Sequence, residues 1–328
     1  MKNDRRTVLV TGASGFVGGH LSPVLERDGW TVRRVARRPL GNERDVVIRS
    51  IGPETDWTAA LTGVDAIVHL AARVHHPNED HGYELYRDVN VDGTLHLARS
   101  AIKAGVRHFI FVSTVLVYGR SNNGRAPFSE DDVLTPRGLY GMSKAEAEAG
   151  LAALARDSEM AVTIVRPPMI YGSGAKGNFA TLVKAVRLGA PLPFASIRNH
   201  RAFISVQNLA SFISWRLSGP AGKFDVFLVA DEEQVSTPEF IRRLATAAGG
   251  RALLFPAPTS LVSLLLQISG RHEARHSLLG SLELNLSKAA ATGWRPPLTL
   301  DEGLRLVFST PGVDRQFRHF RTLFGAKT

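Results

Sequence analysis

Thr11-Gly12-Ala13-Ser14-Gly15-Phe16-Val17-Gly18 joins two segments of different character. The apolar run Val8-Leu9-Val10 before it has the composition of a buried strand, and the residues after it have the composition of a helix. Glycine lacks a Cβ atom, so the spacing predicts a tight turn at Gly12, close approach of a ligand pyrophosphate at Gly15 and close helix packing at Gly18. The N–H groups and positive dipole of the helix would face the phosphates. The sequence therefore predicts a dinucleotide-binding turn.

The composition is that of a globular protein with a well-buried core. The 328 residues are 44% hydrophobic and 21% charged, which suffices for one large or two modest domains. The lack of cysteine excludes disulfides, thiolate metal ligands and a cysteine nucleophile, and agrees with a reducing cytoplasm. The first residues lack the apolar region of a signal peptide. We therefore expect a cytoplasmic protein.

The apolar runs are shorter than the ~20 residues that span a bilayer. The longest candidate, Leu261 to Ile268, is interrupted by Ser263 and Gln267. We interpret this segment as a packed helix, with an oligomer contact or a membrane-surface face as the alternative. Stable membrane insertion is not expected.

The formal net charge of +10 favours an acidic partner. Nucleic acid is one such class, but the basic residues are scattered and no nucleic-acid-binding motif with interleaved aromatic residues is visible. An anionic small molecule with several phosphates explains the charge as well. We expect that partner and no nucleic acid.

Short apolar runs alternate with longer helical patterns along the chain. This alternation predicts crossover helices on both faces of a parallel sheet, an α/β, doubly wound (Rossmann) fold. After Pro167 the pattern changes to loops rich in Gly and Pro up to Arg201. The predicted strands are Thr7–Val10, Thr31–Val35, Val46–Ile48, Ala66–Leu70, His108–Val112, Ala161–Val165, Ala202–Val206 and Lys223–Val229.

The change of pattern predicts two units and a tail. Residues 1–167 form the dinucleotide-binding domain, with a return segment at about 202–230. Residues 168–201 and 231–312 form a smaller C-terminal substrate lobe, and 313–328 form a basic tail. Within the lobe, Ser236-Thr237-Pro238-Glu239 is a capping box that begins a helix.

A tyrosine and a lysine stand four residues apart in a predicted helix that extends to Arg156. Tyr140 and Lys144 would therefore lie on one helix face. A nearby ammonium lowers the pKa of a phenol, so the pair predicts a group that donates and accepts a proton. Ser113 and Thr114 follow the fifth predicted strand, at the sheet edge where a doubly wound fold binds its ligand. A hydroxyl there could hold a substrate oxygen beside Tyr140.

Further motifs accompany these residues through the first half of the chain. They are Thr11-Gly12-x-x-Gly15-x-x-Gly18, His69-Leu70-Ala71-Ala72, Asn90-Val91-x-Gly93-Thr94, Ser113-Thr114 with Val117-Tyr118-Gly119, Tyr140-x-x-x-Lys144 and Arg166-Pro167-x-x-x-Tyr171-Gly172. In the order and spacing of these motifs the chain resembles the extended short-chain dehydrogenase/reductase family. The resemblance implies the catalytic residues Ser113, Thr114, Tyr140 and Lys144. It implies cofactor contacts from Gly12, Ser14, Gly15, Phe16, Val17, Gly18, Leu70, Ala71, Ala72, Asn90, Tyr140, Lys144 and Pro167.

A narrower likeness extends over nearly the whole chain. Its segments are Ile51-Gly52-Pro53-x-Thr55-Asp56-Trp57, Lys176-Gly177-Asn178-Phe179, Pro191-Leu192-Pro193, Leu279-Gly280-Ser281-Leu282 and Gly293-Trp294-Arg295-Pro296-Pro297. They resemble bacterial nucleotide-sugar enzymes of O-antigen synthesis, which are UDP-4-keto-6-deoxy-N-acetylglucosamine 4-reductases or UDP-sugar 4-epimerases.

This likeness implies a UDP-sugar substrate that contacts Asn178, Phe179, Pro191 and Arg201. A guanidinium grips phosphate oxygens bidentately, which suits Arg201 to the diphosphate. The alternatives are a surface role for Arg201 and a helix cap for Asn178. The chain differs from the usual sequence of these enzymes at two places, one near the expected substrate and one near the expected adenine. Leu116-Val117-Tyr118-Gly119 replaces Lys-Val-Asn-Gly and is closer to epimerases, and Arg49-Ser50 replaces Gly-Asp.

The second predicted strand bears on the choice of cofactor. An NAD-selective fold places a carboxylate at the end of this strand for the adenine-ribose hydroxyls. Here Ala36 stands at that position and is followed by Arg37 and Arg38, which could pair with a 2′-phosphate. We therefore expect NADP in preference to NAD, with a solvated basic strand end as the alternative.

The remaining polar residues give weaker signals. His75, His76 and His81 lack the spacing of a recognised metal site, so no metal is expected. Asp131 and Asp132 are interpreted as loop charges, and Glu146 and Glu148 as residues on the exposed side of the helix.

The sequence therefore predicts an NAD(P)-dependent oxidoreductase that acts at C4 of a UDP-hexose. A UDP-4-keto-6-deoxy-N-acetylglucosamine 4-reductase is preferred, a UDP-sugar 4-epimerase is the alternative, and a non-enzymatic NADP-sensing module is the minor one. A homodimer is left open.

Overall fold

The computed structural model describes residues 6–74, 82–268 and 278–309. Its centre is a parallel sheet of seven strands in the order β3-β2-β1-β4-β5-β6-β9. This order confirms the predicted doubly wound α/β class, because the chain runs outward from β1 in one direction and then in the other. The strands are β1 (Thr7–Thr11), β2 (Thr31–Ala36), β3 (Val46–Val47), β4 (Ala66–His69), β5 (His108–Val112), β6 (Ala161–Arg166) and β9 (Phe224–Leu228).

Helices cover both faces of this sheet. Strand β1 shows how alternate residues of one strand pack against the helices on each face. Val8 and Val10 pack in one core cluster with Leu21 and Leu209, while Leu9 packs on the other face with Leu151. Side chains alternate along a strand, so a continuous apolar run supplies both faces. The α-helices in the first two thirds of the chain are α1 (Phe16–Arg27), α2 (Thr58–Leu61), α3 (Tyr83–Arg87), α4 (Gly93–Lys103), α5 (Gly138–Arg156), α6 (Asn178–Arg187) and α7 (Val206–Ser218).

A second, smaller sheet interrupts the chain between β6 and β9. It pairs β7 (Met169–Tyr171) in parallel with β8 (Phe203–Ser205). The prediction of loops from Pro168 to Arg201 is therefore wrong at β7 and α6, and the strand predicted at Ala202–Val206 belongs to this small sheet. A strand of three residues after two prolines is too short to produce a periodic pattern.

The C-terminal part packs its own core around the small sheet. Tyr171, Phe179, Phe203 and Phe240 share this core, with the Phe203 and Phe240 rings stacked at 4.0 Å. Its further helices are α8 (Thr237–Ala247), α9 (Thr259–Ile268), Ser287–Ala291 and Leu300–Ser309. The N-cap half of the predicted capping box is present, since the Ser236 hydroxyl accepts a hydrogen bond from the backbone N–H of Glu239 at 3.3 Å, whereas the Glu239 carboxylate accepts from Arg243 at 2.9 Å.

Helix α9 has both buried and exposed apolar side chains among those that the structure describes. Val262 is buried, whereas Leu261, Leu264 and Ile268 are 48%, 51% and 75% exposed. The interpretation as a packed helix therefore holds at Val262 but not at Leu261, Leu264 and Ile268, which share an exposed face. Within residues 6–74, 82–268 and 278–309, no helix is long and apolar enough to cross a membrane. The predicted basic tail lies outside the described residues.

Candidate active site

The glycine turn after β1 has the tight turn at Gly12 and the close helix packing at Gly18 that its spacing predicts, and the approach of a pyrophosphate at Gly15 stays a prediction. Gly12 adopts φ +68°, and a Cβ atom there would lie 2.8 Å from the backbone N of Ala71. A Cβ on Gly18 would lie 2.5 Å from the carbonyl oxygen of Gly12, so the first turn of α1 rests directly on the loop. Ser14 and Gly15 are exposed at the tip. The turn leaves bare backbone beside the N-terminus of α1, which suits a pyrophosphate.

A buried histidine joins this turn to the next strand. The His69 ring bonds through Nδ1 to the Thr11 hydroxyl at 2.7 Å and through Nε2 to the Thr94 hydroxyl at 2.9 Å. Burial, with a further contribution from the Lys144 charge, lowers the pKa of His69 to about 3. His69 is therefore neutral and fixes the carboxyl end of β4, from which Leu70, Ala71 and Ala72 extend towards the turn.

Asn90 braces the site from a π-helical segment, Asp88–Asp92. Its amide accepts from the Arg73 backbone N–H at 2.7 Å and donates to the Arg73 carbonyl at 2.9 Å. It also donates to the Ser143 hydroxyl at 2.9 Å. Ser143 lies on α5, so Asn90 holds the loop after β4 against the helix of Tyr140 and Lys144. The structure thus gives Asn90 a bracing role, and its predicted contact with cofactor stays a prediction.

Ser113 and Thr114 follow β5, at the carboxyl edge of the sheet. The Thr114 hydroxyl accepts from Leu116 N–H at 3.2 Å and caps the 3-10 helix Val115–Tyr118. A hydroxyl that accepts one bond keeps its hydrogen for another acceptor. The Ser113 hydroxyl is buried without a hydrogen-bond partner in the structure. Buried hydroxyls without partners are rare, and this one can still donate and accept a hydrogen bond.

Helix α5 carries both titratable residues of the predicted pair. A Cβ on Gly141 would lie 3.0 Å from the Leu116 carbonyl oxygen, so the residue after Tyr140 touches the 3-10 helix capped by Thr114. The Lys144 side chain is buried, with Nζ 4.0 Å from the centre of the Phe111 ring and 6.0 Å from that of Tyr140. The predicted proton donor, ammonium and hydroxyl therefore lie on adjoining segments.

The pKa values of the pair differ from the sequence-based expectation. Burial raises the pKa of Tyr140 to about 12 and lowers the pKa of Lys144 to about 7. The prediction that the ammonium lowers the phenol pKa is therefore wrong. Desolvation disfavours both charged forms and outweighs their attraction at this separation. Tyr140 consequently carries its proton at neutral pH.

Glu148 is not exposed, contrary to the prediction. Its side chain is buried and accepts from the Arg166 guanidinium, with Nη2 to Oε2 at 2.6 Å. Arg166 also donates to the hydroxyl of Tyr118, whose ring stacks on Phe128 at 5.0 Å. A glutamate in an alanine-rich helix resembles a surface residue, and the buried arginine that pairs with it is 18 residues further along the chain. Glu146 is exposed, as predicted.

Four arginines lie in or directly after β2, in two different environments. Arg33 donates to the carbonyl oxygens of Ala60 and Thr62, and Arg34 pairs with Asp45 at 2.8 Å. Arg37 and Arg38 are exposed beyond the strand.

The predicted substrate residues occupy diverse positions. Asn178 is exposed at the start of α6 but does not cap it, because the cap residue is Gly177. Phe179 packs in the small core and Pro191 is exposed. Arg201 is 8% exposed and donates to the Gly280 carbonyl at 2.5 Å. Burial lowers the pKa of Arg201 to about 10. The surface alternative for Arg201 is therefore wrong, and its diphosphate contact stays a prediction.

No group of acidic or histidine side chains in the described part of the chain could hold a metal ion. His75, His76 and His81 lie outside that part.

Comparisons with known proteins agree with this geometry. Residues 8–230 match the sequence model of the NAD dependent epimerase/dehydratase family. UDP-glucose 4-epimerase of Vibrio cholerae is 38% identical over 92% of this chain and 94% of that protein. GDP-6-deoxy-D-mannose reductase of Pseudomonas aeruginosa is 26% identical over 92% of this chain and 96% of that protein. The structure of MoeE5 in complex with UDP-glucose and NAD is 26% identical, with a TM-score of 0.75 over 96% of this chain and 99% of that one.

Proposed function

The chain belongs to the NAD dependent epimerase/dehydratase family, and we propose on that premise that it reduces a 4-keto sugar bound as its UDP derivative. Membership makes it an NAD(P)-dependent enzyme of the extended short-chain dehydrogenase/reductase type, as the motifs imply. A purely NADP-sensing module is not proposed, because Thr114, Tyr140 and Lys144 are all present. A sensor has no need of a proton donor.

The residues at the carboxyl edge of the sheet fit a dinucleotide. Gly12 and Gly18 let the backbone of Ala71 and the first turn of α1 close directly onto the loop, so the N-terminus of α1 stands behind an exposed tip at Ser14 and Gly15. When bound, the nicotinamide supplies or accepts the hydride. Lys144 would hold the nicotinamide ribose and steady the charge on the phenol of Tyr140.

Side chains of the protein would transfer the proton and orient the sugar. Tyr140, protonated at neutral pH, would donate its proton to the oxygen on C4 as the carbonyl becomes a hydroxyl. Thr114 would donate a hydrogen bond to the same oxygen as negative charge develops on it. The unpartnered Ser113 hydroxyl lies at the adjacent position and would help to hold the sugar.

The substrate half of the proposal rests on the C-terminal part. We assign residues 168–201 and 231–312 to a UDP-sugar lobe and 1–167, with 202–230, to the dinucleotide domain. Asn178 and Pro191 are exposed and available to a ligand. Arg201 would need to exchange its contact with the Gly280 carbonyl for the diphosphate in order to bind it.

One observation favours a reductase. Arg33 and Arg34 are held by protein partners, whereas Arg37 and Arg38 are exposed directly after Ala36, which stands where an NAD enzyme carries a carboxylate. This arrangement supports NADP, a cofactor suited to net reduction. We therefore propose a UDP-4-keto-6-deoxy-N-acetylglucosamine 4-reductase.

A UDP-sugar 4-epimerase is the second candidate. It is favoured by the 38% identity with the Vibrio cholerae protein named UDP-glucose 4-epimerase. The same residues would serve, since an epimerase oxidises C4 and then returns hydride to the opposite face of the sugar.

The two candidates differ in their cofactor balance. A reductase must oxidise one NADPH for each keto sugar, so absorbance of the nicotinamide should fall in step with added UDP-4-keto-6-deoxy-N-acetylglucosamine. An epimerase should interconvert UDP-N-acetylglucosamine and its C4 epimer with no net change in nicotinamide. We expect stoichiometric NADPH oxidation and little epimerisation of UDP-N-acetylglucosamine or UDP-glucose. Rapid, cofactor-neutral epimerisation would overturn the reductase and leave the epimerase.

A further inference from the structure

A buried ion pair beneath the proposed site has no role in the chemistry described so far. Arg166 and Glu148 are 4% and 3% exposed. Besides the 2.6 Å contact, the Arg166 Nε lies 3.2 and 3.1 Å from the two carboxylate oxygens. Burying two charges is costly, and removing one partner of such a pair leaves an uncompensated buried charge, so the two side chains constrain each other's position.

The pair connects the segments that carry the site residues. Glu148 lies one helical turn after Lys144 on α5. Arg166 ends β6 and bonds to Tyr118, the last residue of the 3-10 helix that Thr114 caps. The Val115 N–H also donates to the Pro167 carbonyl at 3.1 Å, beside Arg166. One guanidinium thereby links the helix of Tyr140 and Lys144 to the loop of Thr114.

We propose that Glu148 and Arg166 are positioning residues that lock these segments together, and that the buried Glu148 carboxylate, one helical turn from Lys144, stabilises the ammonium form of Lys144. This inference rests on the proposed role of Lys144. Arg166 holds the carboxylate in place, and so acts on Lys144 through Glu148.

The charges around Lys144 support this arrangement. On α5 itself the titratable neighbours are Tyr140, which is protonated, and Glu148. From β4 the neighbour is His69, which is neutral, and from β5 it is the uncharged ring of Phe111. Burial lowers the pKa of Lys144 and the charge of Glu148 opposes that effect. Without Glu148, Lys144 would lose its proton at a lower pH.

The test compares Glu148→Gln, the double variant Glu148→Gln/Arg166→Met and the charge-retaining Glu148→Asp. The double variant removes both charges, so that no buried ion is left unpaired and folding is preserved. Glu146→Gln is the matched control, because it makes the same change on the exposed side of the same helix. The first measurement is the dissociation constant for NADPH between pH 5 and 10, which needs no sugar substrate.

The second measurement needs neither cofactor nor sugar. Lys144→Met is introduced into the parent and into the double variant, and the free energy of unfolding is measured against pH. Lys144 destabilises the fold while it is protonated in the folded protein. The advantage of Lys144→Met should therefore shrink as pH rises above about 7 in the parent.

We expect both profiles to move to lower pH, by about one unit, in Glu148→Gln and in the double variant, given a helical spacing of about 6 Å. Glu148→Asp and Glu146→Gln should keep the parent profiles. Parent profiles in the double variant, with only a fall in Tm, would reduce the pair to a structural role and overturn the inference. Failure of the parent to reduce any UDP-4-keto sugar would contradict the proposed function alone, since the unfolding profiles do not depend on it.

Discussion

Tyr140 shows how burial prepares a residue for one direction of proton transfer. Desolvation raises its pKa to about 12, so the phenol holds its proton over the whole neutral range. A proton donor is what reduction of a ketone requires. The phenolate that remains after transfer would be costly in this setting, and the Lys144 ammonium on the same helix offsets that cost.

Removal of the Tyr140 hydroxyl tests this role. Tyr140→Phe keeps the ring and its packing, so we expect normal folding and a kcat lower by about 10²–10⁴-fold, the usual contribution of general acid catalysis. Steady-state turnover of the keto sugar measures the loss. Tyr83→Phe is the matched control, since Tyr83 bonds to Glu146 on the exposed side of α5 and should leave kcat near that of the parent. Nearly full activity of Tyr140→Phe would remove Tyr140 from the mechanism.

Gly18 and Gly19 are adjacent in α1, and the surroundings that an added Cβ atom would meet differ between them. A Cβ on Gly18 would lie 2.5 Å from the Gly12 carbonyl oxygen and 2.6 Å from Ala13 Cα, both in the backbone. A Cβ on Gly19 would meet nothing within 4 Å. Gly18→Ala should therefore lower the free energy of unfolding by about 1–3 kcal/mol and weaken dinucleotide binding. Gly19→Ala should instead stabilise the helix by about 0.5–1 kcal/mol.

Chemical denaturation and NADPH titration of the two variants check this comparison. Equal effects on stability would contradict the close contact between helix and turn.

At the level of elements, the environment of each arginine in and after β2 depends on its position along the strand. Those within the strand, Arg33 and Arg34, meet backbone carbonyls or Asp45, because neighbouring segments flank them. Those beyond the strand end lie at the sheet edge where a doubly wound fold binds its ligand. The sequence shows four similar residues, and only the strand register separates the structural pair from the available pair.

This division predicts the effect of a double substitution at the strand end. Arg37→Ala/Arg38→Ala should weaken NADPH binding far more than NADH binding, by about 1–3 kcal/mol if charge-assisted phosphate bonds are lost. Fluorescence titration with both cofactors measures the difference. Arg99→Ala/Arg156→Ala removes the same charge from exposed positions on α4 and α5 and should affect both cofactors little. An equal loss of NADPH and NADH affinity would end the 2′-phosphate argument.

At the level of the molecule, the sequence predicted what depends on local pattern. The glycine turn, the main strands and the Ser236 cap follow from short-range spacing, and the structure contains them. It could not predict that Glu148 is buried, because the reason is Arg166 on a different strand. The strand at Met169–Tyr171 was also missed, since its pairing with Phe203–Ser205 joins segments that are far apart in the chain.

The strand order also affects how the chain is made. Strand β9 pairs with the outer edge of β6. The two strands are separated by roughly 60 residues of chain, which contain the whole small sheet. A ribosome that adds about 5–20 residues per second needs roughly 3–12 seconds for this stretch. During that time β6 presents unpaired N–H and C=O groups to any other strand nearby. The small sheet therefore sets how long each newly made chain is open to aggregation before its main sheet can be completed.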